Sequence, residues 1–253
     1  MTLLGAIDPL TLVLALVACG LGGLLKGATG AGAPVIGIPV LTALVDIQFA
    51  VSVFVLPNLL TNLWQAFAYR RHLLPWSFLL LFGGGGAIGA VVGTYLLAGL
   101  PGDLLEIAMA LVVIGYVAFR LWNMDWVLAY PLARKLALPV GGAGGILQGA
   151  TGLSAPASLT FLNALRLPRP TFIATISVFF ALMTISQIER QAALGLLDGQ
   201  RLLIGAFATL ATLAAMPVGR WIGERVSRQV FDWLILGLLL ILALKILLAA
   251  SLA

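Results

Sequence analysis

The sequence predicts an all-α polytopic membrane protein made of two inverted-topology repeats, and three observations carry that prediction. Of 253 residues, 62% are apolar and 9% are charged, whereas a soluble domain carries about 25% charged residues. The apolar residues gather into long runs parted by short polar breaks, the pattern of membrane-spanning helices rather than of a soluble core. One glycine-rich phrase also occurs twice, as "GATGAGAP" from Gly27 to Pro34 and as "GATGLSAP" from Gly149 to Pro156, 122 positions apart.

Ten apolar segments can be traced, at 10–26, 35–45, 49–69, 76–99, 104–122, 136–148, 155–165, 171–189, 202–222 and 230–250. About 20 helical residues cross a hydrocarbon core of about 30 Å. The third, fourth, fifth, eighth, ninth and tenth segments are long enough to span. The second and seventh, with eleven residues each, reach only about 17 Å, and the sixth about 20 Å. These short segments flank the two phrases, so each phrase is expected to join two half-length helices at mid-membrane depth. The competing arrangement has each phrase capping full tilted crossings. Non-helical backbone at that depth requires surrounding protein or a cavity.

The first segment contains Leu16 to Cys19, "LVAC", which has the form of a lipoprotein cleavage site. A signal peptide opens with positive charge, but this chain opens "MTLLGAIDPL" with no Lys or Arg. The stretch is therefore read as a retained first span.

The duplication extends beyond the phrase. Gly23–Pro34 aligned on Gly145–Pro156 gives eight identities in twelve positions, and Gln65 falls on Gln187 at the same offset. Further on, "GTYLLAGLPGDLLE" from Gly93 resembles "GRWIGERVSRQVFD" from Gly219 in pattern. Three matches in order predict a repeated unit, 1–125 and 126–253. Each carries a short-helix hairpin or broken helix plus three spanning helices, eight to ten membrane segments in all.

The charges orient the chain. Arg70, Arg71, Arg120, Arg134, Lys135, Arg166, Arg169, Arg220, Arg225 and Arg228 fall on one side, and Arg190, Arg201 and Lys245 on the other. The crowded side is cytoplasmic by the positive-inside rule, both termini then lie outside, and the two halves are inverted. The net charge of +5 is thus spent on topology and implies no nucleic-acid partner.

Several chemistries are excluded. One cysteine and one histidine build neither a disulfide framework nor a Cys- or His-based metal site. Every Asp and Glu lies at or near a segment end, so there is no carboxylate proton relay. No nucleophile–base pair is evident. "GGGG" at Gly83–Gly86 and "GGAGG" at Gly141–Gly145 lack the strand and lysine context of nucleotide loops. They read as close helix crossings. No enzyme, metal or cofactor is expected.

The phrases are the candidate site. Broken helices of inverted repeats meet near the membrane centre and form substrate sites. Pro34 and Pro156 suit the first turn of a helix, where a missing N–H costs nothing. Gly27, Ala28, Thr29, Gly30 and their counterparts Gly149, Ala150, Thr151, Gly152 would curl backbone N–H groups around a small anion at two helix N-termini. The plainer reading makes the glycines helix-packing residues. Lys26 is a charge at membrane depth and so a functional candidate. It either attracts the anion or neutralises the carbonyls ending the first helix. Its counterpart is Gln148. Asn58, Asn62 and Gln65 share one helical face, and Thr184 and Gln187 take the positions of Asn62 and Gln65 in the second half. They line the cavity or bond helix to helix.

"LLKGATGAGAPVIGIPVL" and "GGILQGATGLSAPASLTFLNAL", in inverted halves of a chain of this size, resemble the sulfite exporter TauE/SafE family. The resemblance implies a multi-pass transporter of the plasma (inner) membrane, exporting sulfite or an organosulfonate such as sulfoacetate. It places the family motif on Gly27, Thr29, Gly30 and Pro34 and on Gly149, Thr151, Gly152 and Pro156. The residues themselves say only "small anion", whose movement an ion gradient could drive. A passive small-anion channel is the alternative. The expected partners are that anion and the lipid bilayer.

Overall fold

A computed structural model describes residues 8–122, 127–223 and 225, and single positions from Gly237 to Leu244. Residues 1–7, Arg228, Lys245 and nearly all of the predicted segment 230–250 lie outside the described residues.

Among the described residues the chain is helical throughout. It forms α1 (Pro9–Thr29), α2 (Ala33–Leu44), α3 (Ile47–Ala68), α4 (Trp76–Gly99), α5 (Gly102–Trp122), α6 (Tyr130–Thr151), α7 (Ala155–Ala164), α8 (Arg169–Ala193) and α9 (Gly199–Gly223). Six of these, α1, α3, α4, α5, α8 and α9, are long and apolar enough to cross a membrane. The chain is a polytopic helical membrane protein. Three of the described carboxylates cap helix starts. Asp8 accepts hydrogen bonds from the N–H groups of Leu10 and Thr11, Asp46 from Phe49 and Asp198 from Arg201, each satisfying donors that a helix N-terminus leaves open.

The first nine predicted segments map onto these helices with one correction. The thirteen-residue sixth segment is in fact the 22-residue α6. Arg134, Lys135 and Pro139 interrupt its apolar run in the sequence, but the helix continues through all three. Each phrase therefore joins a full-length helix (α1 with 21 residues, α6 with 22) to a short one (α2 with 12, α7 with 10). The expectation of two half-length helices around each phrase is wrong on the N-terminal side of both.

Helices from the two ends of the chain interlock. α1 packs along α9, α4 along α6, and α3 along both α8 and α9. α3 and α8 form the centre, with 67% and 61% of their apolar stretches buried, against 28% in peripheral α5.

Glycines set the closest approaches. On α4, a Cβ at Gly85, Gly89 or Gly93 would collide with the carbonyl oxygens of Leu138, Gly142 and Ile146 on α6. On α6, Gly141, Gly145 and Gly149 meet the carbonyls of Phe82, Gly86 and Ala90 in the same way. The four-residue spacing puts each trio on one face. The runs at 83–86 and 141–145 are thus the close crossings their composition suggested.

Candidate functional site

Both phrases open with the same backbone turn, and they part at Gly32, left-handed at φ 102°, against Ser154 at φ −95°. α1 ends with Gly30 in the left-handed region at φ 85°, and α6 with Gly152 at φ 73°. There a side chain is strained and glycine is not. The N–H of Gly30 donates to Lys26 O at 2.7 Å, and that of Gly152 to Gln148 O at 2.8 Å. The two threonines hold the turn. Thr29 Oγ1 donates to Leu25 O and Thr151 Oγ1 to Leu147 O, at 2.9 and 2.8 Å. The same oxygens accept from Ala31 N and Leu153 N at 3.3 and 3.4 Å. Pro34 and Pro156 stand in the first turns of α2 and α7, and no side chain caps either N-terminus.

The two turns face one small, partly open cavity of about 10 Å³, room for about one water molecule. Gly32, Pro34 and Val35 line it from the first phrase and Gln148, Ser154 and Ala155 from the second, with Phe180 of α8 across from them.

Beside Phe180 lies a buried polar chain. Lys26, fully buried, sends Nζ to within 2.7 Å of Asn62 Oδ1 and 6.0 Å of the Phe180 ring centroid. Asn62 Nδ2 donates to Asn58 Oδ1 at 2.8 Å, and Asn58 Nδ2 to Thr184 Oγ1 at 3.0 Å. The chain thus runs from α1 through α3 to α8. One end of the α3–α8 seam carries Ser177 Oγ donating to Gln65 Oε1 at 3.4 Å. Seven residues forward on α3 correspond to seven residues back on α8, so the two helices pair antiparallel. At the other end Gln187 Nε2 donates to Gln148 O at 3.4 Å. Gln187 Oε1 and both amide atoms of the fully buried Gln191 have no partner among the described residues.

The structure therefore brings Lys26, Asn58, Asn62 and Thr184 into one network, with Gln65 and Gln187 further along the same seam. It gives Lys26 an amide partner, so the reading of Lys26 as a counter-charge to the carbonyls ending α1 does not describe its contact. Thr29 and, from across the chain, Arg169 Nη2 on Ala28 O at 2.9 Å take that part. Gly27 and Gly149 are helix-packing residues: a Cβ at either would collide with Met216 O of α9 or Ala90 O of α4. Ala150 is buried at the α4 crossing, beside Gly93. Sequence reasoning missed Phe180, Ser177 and Gln191. The helical spacing of Ser177 and Gln191 from Thr184 and Gln187 was the available signal for two of them.

Fold and site define a multi-pass membrane protein with a small cavity between two helix breaks and, among the described residues, one fully buried lysine near it. The chain belongs to the sulfite exporter TauE/SafE family, whose model matches residues 14–246. Compared with curated proteins and with solved structures, it finds no match. Membership makes it a membrane exporter of the sulfite and sulfur-anion kind, a transporter rather than an enzyme family.

Proposed function

We propose that the chain is a secondary transporter that exports sulfite or an organosulfonate such as sulfoacetate through a site between the two phrases. One observation carries this reading: the first turns of α2 and α7 line the same cavity, and Lys26 is buried next to its Phe180 wall with one acceptor, the Asn62 amide, among the described residues. Helix N-termini attract anions through unpaired N–H groups and partial positive charge. A buried ammonium calls for negative charge nearby. Complete burial of Lys26, Asn62 and Thr184 leaves these groups sealed from solvent, which favours a carrier over a passive channel.

In this reading the halves 1–125 and 126–253 are inverted repeats. Support comes from the pairing of helices, since exchange of α1 with α6 and α4 with α9 turns one glycine-lined crossing into the other. The side chains that meet the two turn glycines are further support. A Cβ at Gly30 would strike Ile173, and one at Gly152 would reach Val51, 122 positions earlier. The protein sits in the plasma membrane with Arg70, Arg134, Arg169 and Arg225 toward the cytoplasm and both termini outside.

The test is flux of sulfite, sulfate, thiosulfate and sulfoacetate in proteoliposomes, with and without a pH gradient. Saturable movement of sulfite or sulfoacetate is expected, and no flux of either sinks the proposal. For orientation, cysteines at Asp46 and Asp198 should react with an impermeant reagent from outside and one at Arg169 should not. The reverse pattern overturns the assignment.

A further inference from the structure

Lys26 poses an electrostatic problem that anion binding alone does not solve. Its ammonium has three N–H donors, and among the described residues one acceptor, Asn62 Oδ1, meets it. No ion pair among those residues involves it. α2 and α3 carry no ionisable side chain, and the rest of α1 carries only Cys19, buried and neutral. Around it α8 contributes Arg169 at its start and the Arg190–Glu189 pair at its far end. α9 contributes the Arg201–Asp198 pair at its start and Arg220 in its last turn. Arg169, which reaches Ala28 O, and Arg220, whose backbone abuts Gly27, are both cations. A charge removed from water with no counter-charge costs many kcal/mol.

We propose that Lys26 is a proton-binding site and that each anion crosses together with a proton carried on its amine, which rests on the anion reading of the cavity above. With the cavity empty, Lys26 is a neutral amine accepted by its amide surroundings. When the anion enters, the amine takes one proton from water on the loading side, and anion and ammonium neutralise each other. When the anion leaves on the far side, the stranded ammonium returns that proton to water there. For a monoanion one negative charge and one proton cross, and no net charge moves. The Phe180 face toward Nζ adds weak attraction for the ammonium without the permanent counter-charge that would hold the proton in place. The second phrase has Gln148 at this position, so the proton has a single seat.

Purified full-length protein answers the question through proton uptake on binding. The probes are methanesulfonate and sulfate, which stay ionised near neutral pH and neither carry nor buffer a proton. Calorimetric titration in two buffers of different ionisation enthalpy reads the protons taken up per anion. Near-stoichiometric uptake is expected, together with methanesulfonate flux in proteoliposomes that does not respond to an imposed membrane potential. Asn62→Asp supplies a permanent carboxylate at the one acceptor of Lys26. It should fold, weaken anion binding at least tenfold and abolish proton uptake. Binding that gives the same heat in both buffers after correction, or undiminished uptake in Asn62→Asp, overturns the proposal while leaving the anion site standing. Sulfite flux without binding of either probe also counts against it, because bisulfite would then bring its own proton. Absence of any bound or transported anion instead sinks the site reading itself.

Discussion

Between Lys26 and Pro34, and again between Gln148 and Pro156, the chain opens the same turn with a different electrical content, and only the first continues through a second left-handed residue, Gly32. Left-handed glycine, back-bonding threonine and first-turn proline recur in both. The residue that opens the phrase does not. In the first it is a lysine bonded to Asn62. In the second it is a glutamine whose backbone carbonyl receives Gln187. The first phrase is also held by Arg169 on Ala28 O. The difference separates two jobs that one phrase alone would confound. In the proposed reading the shared backbone shapes the cavity, and the unshared side chain supplies its charge.

Four sets of substitutions press on that division, beginning with the largest effect. Gly27→Ala and Gly149→Ala place a methyl group against the carbonyl oxygens of Met216 and Ala90. Backbone cannot move aside as a side chain can, so each should cost about 1–3 kcal/mol of stability, read as lower thermal stability in detergent. Gly84→Ala, with nothing within 4 Å of the added atom, should cost nothing, and equal melting of all three would break the packing assignment. Gly30→Val and Gly152→Val meet side chains, those of Ile173 and Ile38, and should leave folded protein in the membrane. A β-branched residue at φ 85° or 73° deforms the turn, so sulfite flux should vanish from both. Flux retained in both variants would detach the turns from transport.

Lys26→Gln copies the second phrase into the first. It should weaken apparent sulfite affinity about tenfold, or about 1.4 kcal/mol, with normal yield of folded protein. Unchanged affinity with reduced yield would return Lys26 to a structural role. Thr29→Ser and Thr151→Ser keep the hydroxyl that bonds four residues back. Each should change flux by less than about threefold, under about 0.7 kcal/mol, in proteoliposomes with matched protein. A larger drop from Thr29 than from Thr151 would show that the methyl group matters where the charge is.

The spans were legible in the sequence because lipid imposes length and apolarity on each helix by itself, with no partner to be guessed. α6 escaped for the converse reason. Arg134, Lys135 and Pro139 break its apolar run, and what sustains it is the glycine stripe against α4, visible only when α4 is placed. Gly27 and Gly149 were drawn toward the cavity on the same grounds as Gly30 and Gly152, because a glycine carries no mark of what faces it. Lys26 announced itself as an expensive charge. Its acceptor lay on a polar face already evident at Asn58, Asn62 and Gln65, but a contact between residues 36 apart on separate helices follows from packing alone. Phe180 was silent, an aromatic in an apolar run, and Gln191 was hidden beside Glu189 and Arg190 as an ordinary helix end.

The glycine-lined crossings also decide what can act as a rigid piece. α1 is fused backbone-to-backbone with α9, and α4 with α6, so each of these pairs joins a helix from early in the chain to one from late in it. Contacts between main-chain atoms have no rotamers to exchange, and such a pair travels as a girder. The α3–α8 seam is instead made of amide and hydroxyl tips that can swap partners one helical turn at a time. In the proposed carrier reading, opening the cavity to either face would be a matter of sliding along that seam, between two bodies that each draw on both halves of the chain. In that reading the boundary between the proposed repeats is not the boundary between the pieces that move.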